Sequence, residues 1–257
     1  MGLGDKLYKD LLLVGSSKRA THHLKFMQAF PGGYAEGDKF IGVTSPDIRK
    51  TIKKYMKSEI DELSDALHSE WHEVRAASLF ILVEQYQRCL DEKRQKEIVD
   101  FYLNNVDYVN HWDLVDCSAY KIIGHYYFTH DISLESLALD KHFWRRRIGI
   151  VSHFFWNKNG KSDEIFKVAD VLIKEDDNYK NYLQDKFELT HAQARTWNSL
   201  VHKATGWMLR EAGKYDSEAL WSYLQKNYSI MPSIMRSYAI EKLSTEQKNI
   251  LKQKKKK

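Results

Sequence analysis

What most restricts the fold of this chain is how little interrupts it. Proline occurs three times in 257 residues, and seven of the twelve glycines lie within the first 42. The rest is nearly free of backbone breakers, whereas an all-β chain needs turn residues every few positions. Apolar spacing agrees: Ala76, Leu79, Phe80, Val83 and Tyr86 fall at helical intervals, as do Ile98, Val99, Tyr102, Leu103 and Val106. Ser45-Pro46 and Ser133-Leu134-Glu135-Ser136 read as helix starts, and Pro31-Gly32-Gly33 and the segment 38–44 as loops. The expectation is an all-α chain of about a dozen helices of roughly 10 to 17 residues.

A weak repeat suggests how the helices are arranged. Trp71-His72-Glu73-Val74-Arg75-Ala76-Ala77, Trp144-Arg145-Arg146-Arg147-Ile148-Gly149 and Val201-His202-Lys203-Ala204-Thr205-Gly206-Trp207 each open a helix with a basic residue, followed by small residues and then an apolar run. Small residues let neighbouring helices approach closely. The anchors Arg75, Arg147 and Lys203 are 72 and 56 residues apart, irregular multiples of the 40-odd residues of a HEAT-type unit. The architecture expected is an α/α superhelical solenoid of HEAT-like repeats over residues 1–251, with the basic residues on its concave face. An irregular helical bundle is the alternative. Residues 252–257, with lysines at 252 and 254–257, read as a disordered basic tail.

Composition narrows the function class. No apolar stretch approaches the roughly 18 residues that span a bilayer, and the N-terminus lacks the basic lead and cleavage site of a secretory signal. Cys89 and Cys117 form neither a metal spacing nor a disulfide framework, which suits a reducing intracellular compartment: the cytoplasm in a bacterium, the nucleus in a eukaryote. The eleven histidines contain no metalloprotease pattern and there is no glycine-rich phosphate loop, so neither a metal nor another cofactor is expected. A net charge of +5 is too modest to prove a nucleic-acid partner.

The most unusual segment is Asn110-His111-Trp112-Asp113-Leu114-Val115-Asp116. In a helix Trp112 and Asp116 share a face, an indole beside a carboxylate. Spacing alone does not separate a pocket from a core tryptophan next to a helix-dipole aspartate.

Taken in order, Trp112-Asp113-Leu114-Val115-Asp116, Trp144-Arg145-Arg146-Arg147 and Gly206-Trp207-Met208-Leu209-Arg210-Glu211 resemble the AlkD-like family of DNA alkylation-repair glycosylases. Thr44-Ser45-Pro46-Asp47-Ile48-Arg49 resembles the family's N-terminal loop-helix, and the segment 232–243 its last basic helix. The resemblance implies a curved array of HEAT-like helix pairs that hydrolyses the N-glycosidic bond of N3- and N7-alkylated purines in duplex DNA, as a monomer. It places the catalytic carboxylate on Asp116, the active-site indoles on Trp112 and Trp207, and the arginine of the cleft on Arg147. Arg145, Arg146, Lys203, Arg210 and Arg236 become candidate DNA contacts. Two departures stand out: Val43 occupies a position where the family's loop carries a glutamine, and the segment 177–198 is longer than usual. A non-catalytic DNA-structure binder on the same fold, or a helical scaffold for proteins, are the competing readings.

Overall fold

The computed structural model describes residues 1–254. Among them no strand forms beyond one isolated bridge, between Lys39 and Trp71. The chain is all-α, as its scarcity of breakers predicts. The described residues gather into two compact units, one of Met1–Ile122 and one that begins at Ile123.

The first unit holds α1 (Leu3–Leu12), α2 (Ser17–Phe26), α3 (Ser45–Thr51), α4 (Ile60–Leu67), α5 (His72–Arg88), α6 (Glu92–Asn104) and α7 (Trp112–Ala119). Its centre is α5, with thirteen of its seventeen residues buried, so this helix is enclosed on nearly every side rather than amphipathic. Leu3, Leu7 and Leu11 make the buried stripe of α1 and pack on α4, whose Leu63, Ala66 and Leu67 are equally buried. The loop 38–44 is tied to α5 by one carboxylate. Glu73, 3% exposed, accepts the backbone N–H groups of Ile41 (2.9 Å), Gly42 (2.7 Å) and Val43 (3.2 Å). Three N–H donors satisfy the acceptor oxygens of this buried side chain. Gly42 is required there: its φ is +80°, and a Cβ would lie 2.2 Å from the Ser16 carbonyl oxygen.

The second unit holds α8 (His125–Thr129), α9 (Glu135–Ala138), α10 (Phe143–Lys158), α11 (Asp163–Lys174), α12 (Asp176–Phe187), α13 (His191–Ala212), α14 (Ser217–Asn227), α15 (Ser233–Ala239) and α16 (Thr245–Lys254). The 22-residue α13 packs against α10, α11, α12, α14 and α15. Its approach to α15 needs Gly206, where a Cβ would fall 2.3 Å from the Met235 carbonyl oxygen. Gly149 does the same for α10 on α9, with 2.3 Å to the Ala138 nitrogen. The small residues noticed in the repeat therefore serve as close-contact positions. Polar side chains lock the same pair of long helices: Arg147 donates to the Leu200 carbonyl (2.6 Å) and Asn157 to that of Met208 (3.0 Å).

Several sequence expectations shift in detail. Thr44, not Ser45, caps α3 through the Asp47 N–H, with Pro46 in the first turn. The helix at Ser133–Ser136 is a single turn, α9, and helix lengths range well beyond the expected 10 to 17 residues. The long segment 177–198 is α12 plus the start of α13, joined through Glu188 in the left-handed conformation. Helix α16 reaches Lys254, so 252–254 belong to a helix rather than a tail; 255–257 lie outside the described residues. No helix among the described residues is long and apolar enough to cross a membrane.

Candidate functional site

The segment singled out in the sequence becomes the short helix α7. His111 takes the N-cap position, its Nδ1 3.4 Å from the Asp113 backbone nitrogen. Leu114, Val115, Ser118 and Ala119 are buried, while Trp112, Asp113, Asp116 and Cys117 are half-buried on the other side. Trp112 and Asp116 thus share a partly exposed face, as their four-residue spacing predicts. The exposed Phe26 of α2 meets the Trp112 ring edge-on at 6.1 Å, which extends the aromatic surface beside it. Burial pushes the Cys117 thiol up to about 12, so the one cysteine next to Asp116 stays protonated and unreactive.

Beneath α7 lies a polar network that the sequence did not disclose. The fully buried His72 imidazole bonds Asp38 through Nδ1 (3.1 Å) and Asp113 through Nε2 (2.9 Å). Arg75 donates to the same Asp38 at 2.6 Å, and His111 Nδ1 meets Asp113 at 2.6 Å. The far side of His111 bonds the Met27 carbonyl (3.2 Å). Burial alone would depress His72, but the Asp113 charge and its bonds to both carboxylates hold it up at about 9. Burial would likewise raise Asp113; the His72 and His111 charges keep it well below the usual carboxylate range. Asp38 is lowered against burial by His72 and Arg75. Two carboxylates, an arginine and two imidazoles thus compensate one another at the N-terminus of α7 and fix the turn that carries Trp112 and Asp116. Arg75, expected as a basic anchor on an open face, is buried in this network instead. The missed signal was His72-Glu73-Val74-Arg75 itself, since such polar residues opening an apolar helix need buried partners.

His72, His111 and Asp113 are also the described residues whose ligand atoms, all within 4.8 Å of one another, could converge on a metal ion. In the structure those atoms are bonded to one another.

The second unit carries the remaining candidates. On α13, Lys203, Trp207 and Arg210 share a half-buried face at positions i, i+4 and i+7. The Trp207 indole N–H donates to Glu211 (3.2 Å), which also pairs with Arg210 (3.1 Å) and Lys214 (2.5 Å). Arg210 bonds Glu241 as well. On α10, Arg145 is half-buried and Arg147 is buried. Arg146 is built into the fold: 3% exposed, it donates to the carbonyls of Asp140 (2.8 Å) and Leu139 (3.1 Å) and stacks on Tyr179 at 3.5 Å. Its expected phosphate contact gains nothing from that placement. Arg236 donates to the Tyr228 carbonyl (3.1 Å), next to the end of α14.

The model of a family described as DNA alkylation repair enzymes matches residues 7–243, nearly the whole chain. The chain belongs to that family. Membership gives it a role in DNA alkylation repair, with DNA as its partner. A solved structure of a predicted DNA alkylation repair enzyme from Enterococcus faecalis shares its fold, with a TM-score of 0.63 and 14% identity over 90% of this chain and 97% of that one. No curated protein matches the sequence significantly.

Proposed function

We propose that this family member is a DNA glycosylase that releases cationic N3- and N7-alkylated purines from duplex DNA by hydrolysing the N-glycosidic bond. The observation that carries the proposal is α7, which presents Trp112 and Asp116 together on its partly exposed side, anchored by compensated charges below. Alkylation makes the purine a cation and hence a good leaving group, so no protein acid has to protonate it. Bond cleavage moves positive charge onto the deoxyribose, as in other glycosyl transfers. The Asp116 carboxylate stabilises that charge and orients the attacking water. The indole of Trp112 lies along the sugar and adds cation–π stabilisation. Arg145, Lys203, Arg210 and Arg236 supply backbone contacts; Arg146 and Arg147 are left out because their buried guanidiniums are committed to backbone carbonyls, Arg146 to Leu139 and Asp140 and Arg147 to Leu200. In this reading the protein acts as a monomer and needs no cofactor.

The test is direct. Duplex DNA carrying N7-methylguanine is incubated with the protein and free base is measured by chromatography. Release above the spontaneous rate supports the proposal. Tight duplex binding with no release on any N3- or N7-alkylated substrate makes the protein a non-catalytic DNA binder.

A further inference from the structure

The first unit contains a group of cations that the functional reading has not used. Arg49 of α3 is half-buried, its guanidinium 4.0 Å from the centre of the Phe80 ring. Lys121, just beyond α7, is half-buried with its ammonium 5.4 Å from the Tyr120 ring. Among the described residues neither makes a hydrogen bond or an ion pair with a carboxylate. A cavity of about 400 Å³ adjoins Arg49, lined also by Ile52, Lys53, Met56, Glu84 and Arg88. Glu84 is the one carboxylate in that lining, and it is bridged to Arg88 at 2.9 Å.

Like charges held together and partly out of water cost free energy unless an anion arrives. That cost shows in Lys121, which burial and the neighbouring Arg49 charge push below the ordinary lysine value. The cluster is also close to the proposed catalytic face, because Arg49 and Lys121 both lie within electrostatic reach of the Cys117 thiol, one residue past Asp116. Arg49 on its aromatic ring is a pre-oriented, weakly hydrated fork suited to phosphate oxygens, and the two lysines add mobile point charges.

We propose that Arg49, Lys53 and Lys121 form a binding site for one phosphate of the DNA backbone, on the strand that runs along the Trp112/Asp116 face of α7. The proposal rests on the reading of that face as the one that meets DNA. Glu84 attenuates the site by occupying Arg88 and by repelling the incoming oxygens.

Undamaged duplex provides a readout that is independent of glycosylase chemistry. Its affinity is measured by fluorescence anisotropy across a salt series for the wild type, the Lys53→Gln/Lys121→Gln double variant and Glu84→Gln. Arg49 is left in place to preserve its packing on Phe80. Loss of a whole phosphate contact lowers the slope of log K against log salt by about 0.9, and the double variant, which keeps Arg49, is expected to show part of that drop together with weaker binding. Glu84→Gln should bind more tightly at every salt concentration. Wild-type binding with an unchanged slope in the double variant overturns the site and leaves the glycosylase proposal standing. Absence of wild-type duplex binding overturns both. Inorganic phosphate, titrated calorimetrically, separates the two sources of the anion. Binding of orthophosphate that the double variant loses, without any change in the duplex slope, would make this a free-phosphate site and overturn the backbone assignment.

Discussion

Replacing His72 by glutamine tests the charge network under α7 through its pH dependence. The imidazole is held at about 9 in the folded protein, against an ordinary value of 6.5. A group whose value is raised on folding stabilises the protein fully below its unfolded value, and that contribution is lost as pH rises through the folded value. At 1.36 kcal/mol per unit, the protonated imidazole contributes on the order of 3 kcal/mol at pH 6, about 1 at pH 8 and roughly half a kcal/mol at pH 9. Glutamine removes the titrating charge. Asp38 keeps Arg75 at 2.6 Å and Asp113 keeps His111 at 2.6 Å, so the variant retains compensation for both carboxylates. Urea unfolding of both proteins between pH 6 and 9 gives a difference curve in which the titrating groups outside this network cancel to first order. The gap should be largest near pH 6 and shrink by roughly 2–3 kcal/mol towards pH 9. A constant gap across that range would show that His72 carries no charge there, and the explanation of how α7 is anchored would fail.

Other consequences are simpler to read. Asp116→Asn preserves size but removes the charge proposed to stabilise the sugar cation; base release should fall by about 10²–10³ while duplex affinity stays equal or rises slightly. Full excision by that variant would move the catalytic role elsewhere. Gly206→Ala forces a methyl to within 2.3 Å of the Met235 carbonyl oxygen and should cost about 1–3 kcal/mol in thermal unfolding, with the same expected for Gly149→Ala against α9. Arg146→Gln should destabilise the protein yet leave the salt dependence of DNA binding unchanged, because its guanidinium serves the fold. Lys203→Gln should do the reverse, lowering the salt slope by about 1 with stability unchanged.

Several features of this protein were written in the sequence because they depend only on neighbours along the chain. The near absence of proline and glycine after Gly42 makes helices the default, and the four-residue spacing of Trp112 and Asp116 puts them on one face of whichever helix forms. Small residues such as Gly149 and Gly206 marked where helices meet. Ordered strings such as Trp112 to Asp116 carried the family resemblance. What the sequence could not decide was the fate of each charge. Arg145, Arg146 and Arg147 are consecutive and chemically identical, yet one is half-buried, one holds the carbonyls of Leu139 and Asp140, and one reaches Leu200, fifty-three residues away. Asp38, His72, Arg75 and Asp113 become partners only when the loop 38–44, α5 and α7 are folded together. A side chain's periodicity fixes its direction from the helix axis, but only the tertiary structure fixes what lies in that direction. For a charged group, that surrounding decides between a solvated contact for DNA and a buried bond that holds the fold.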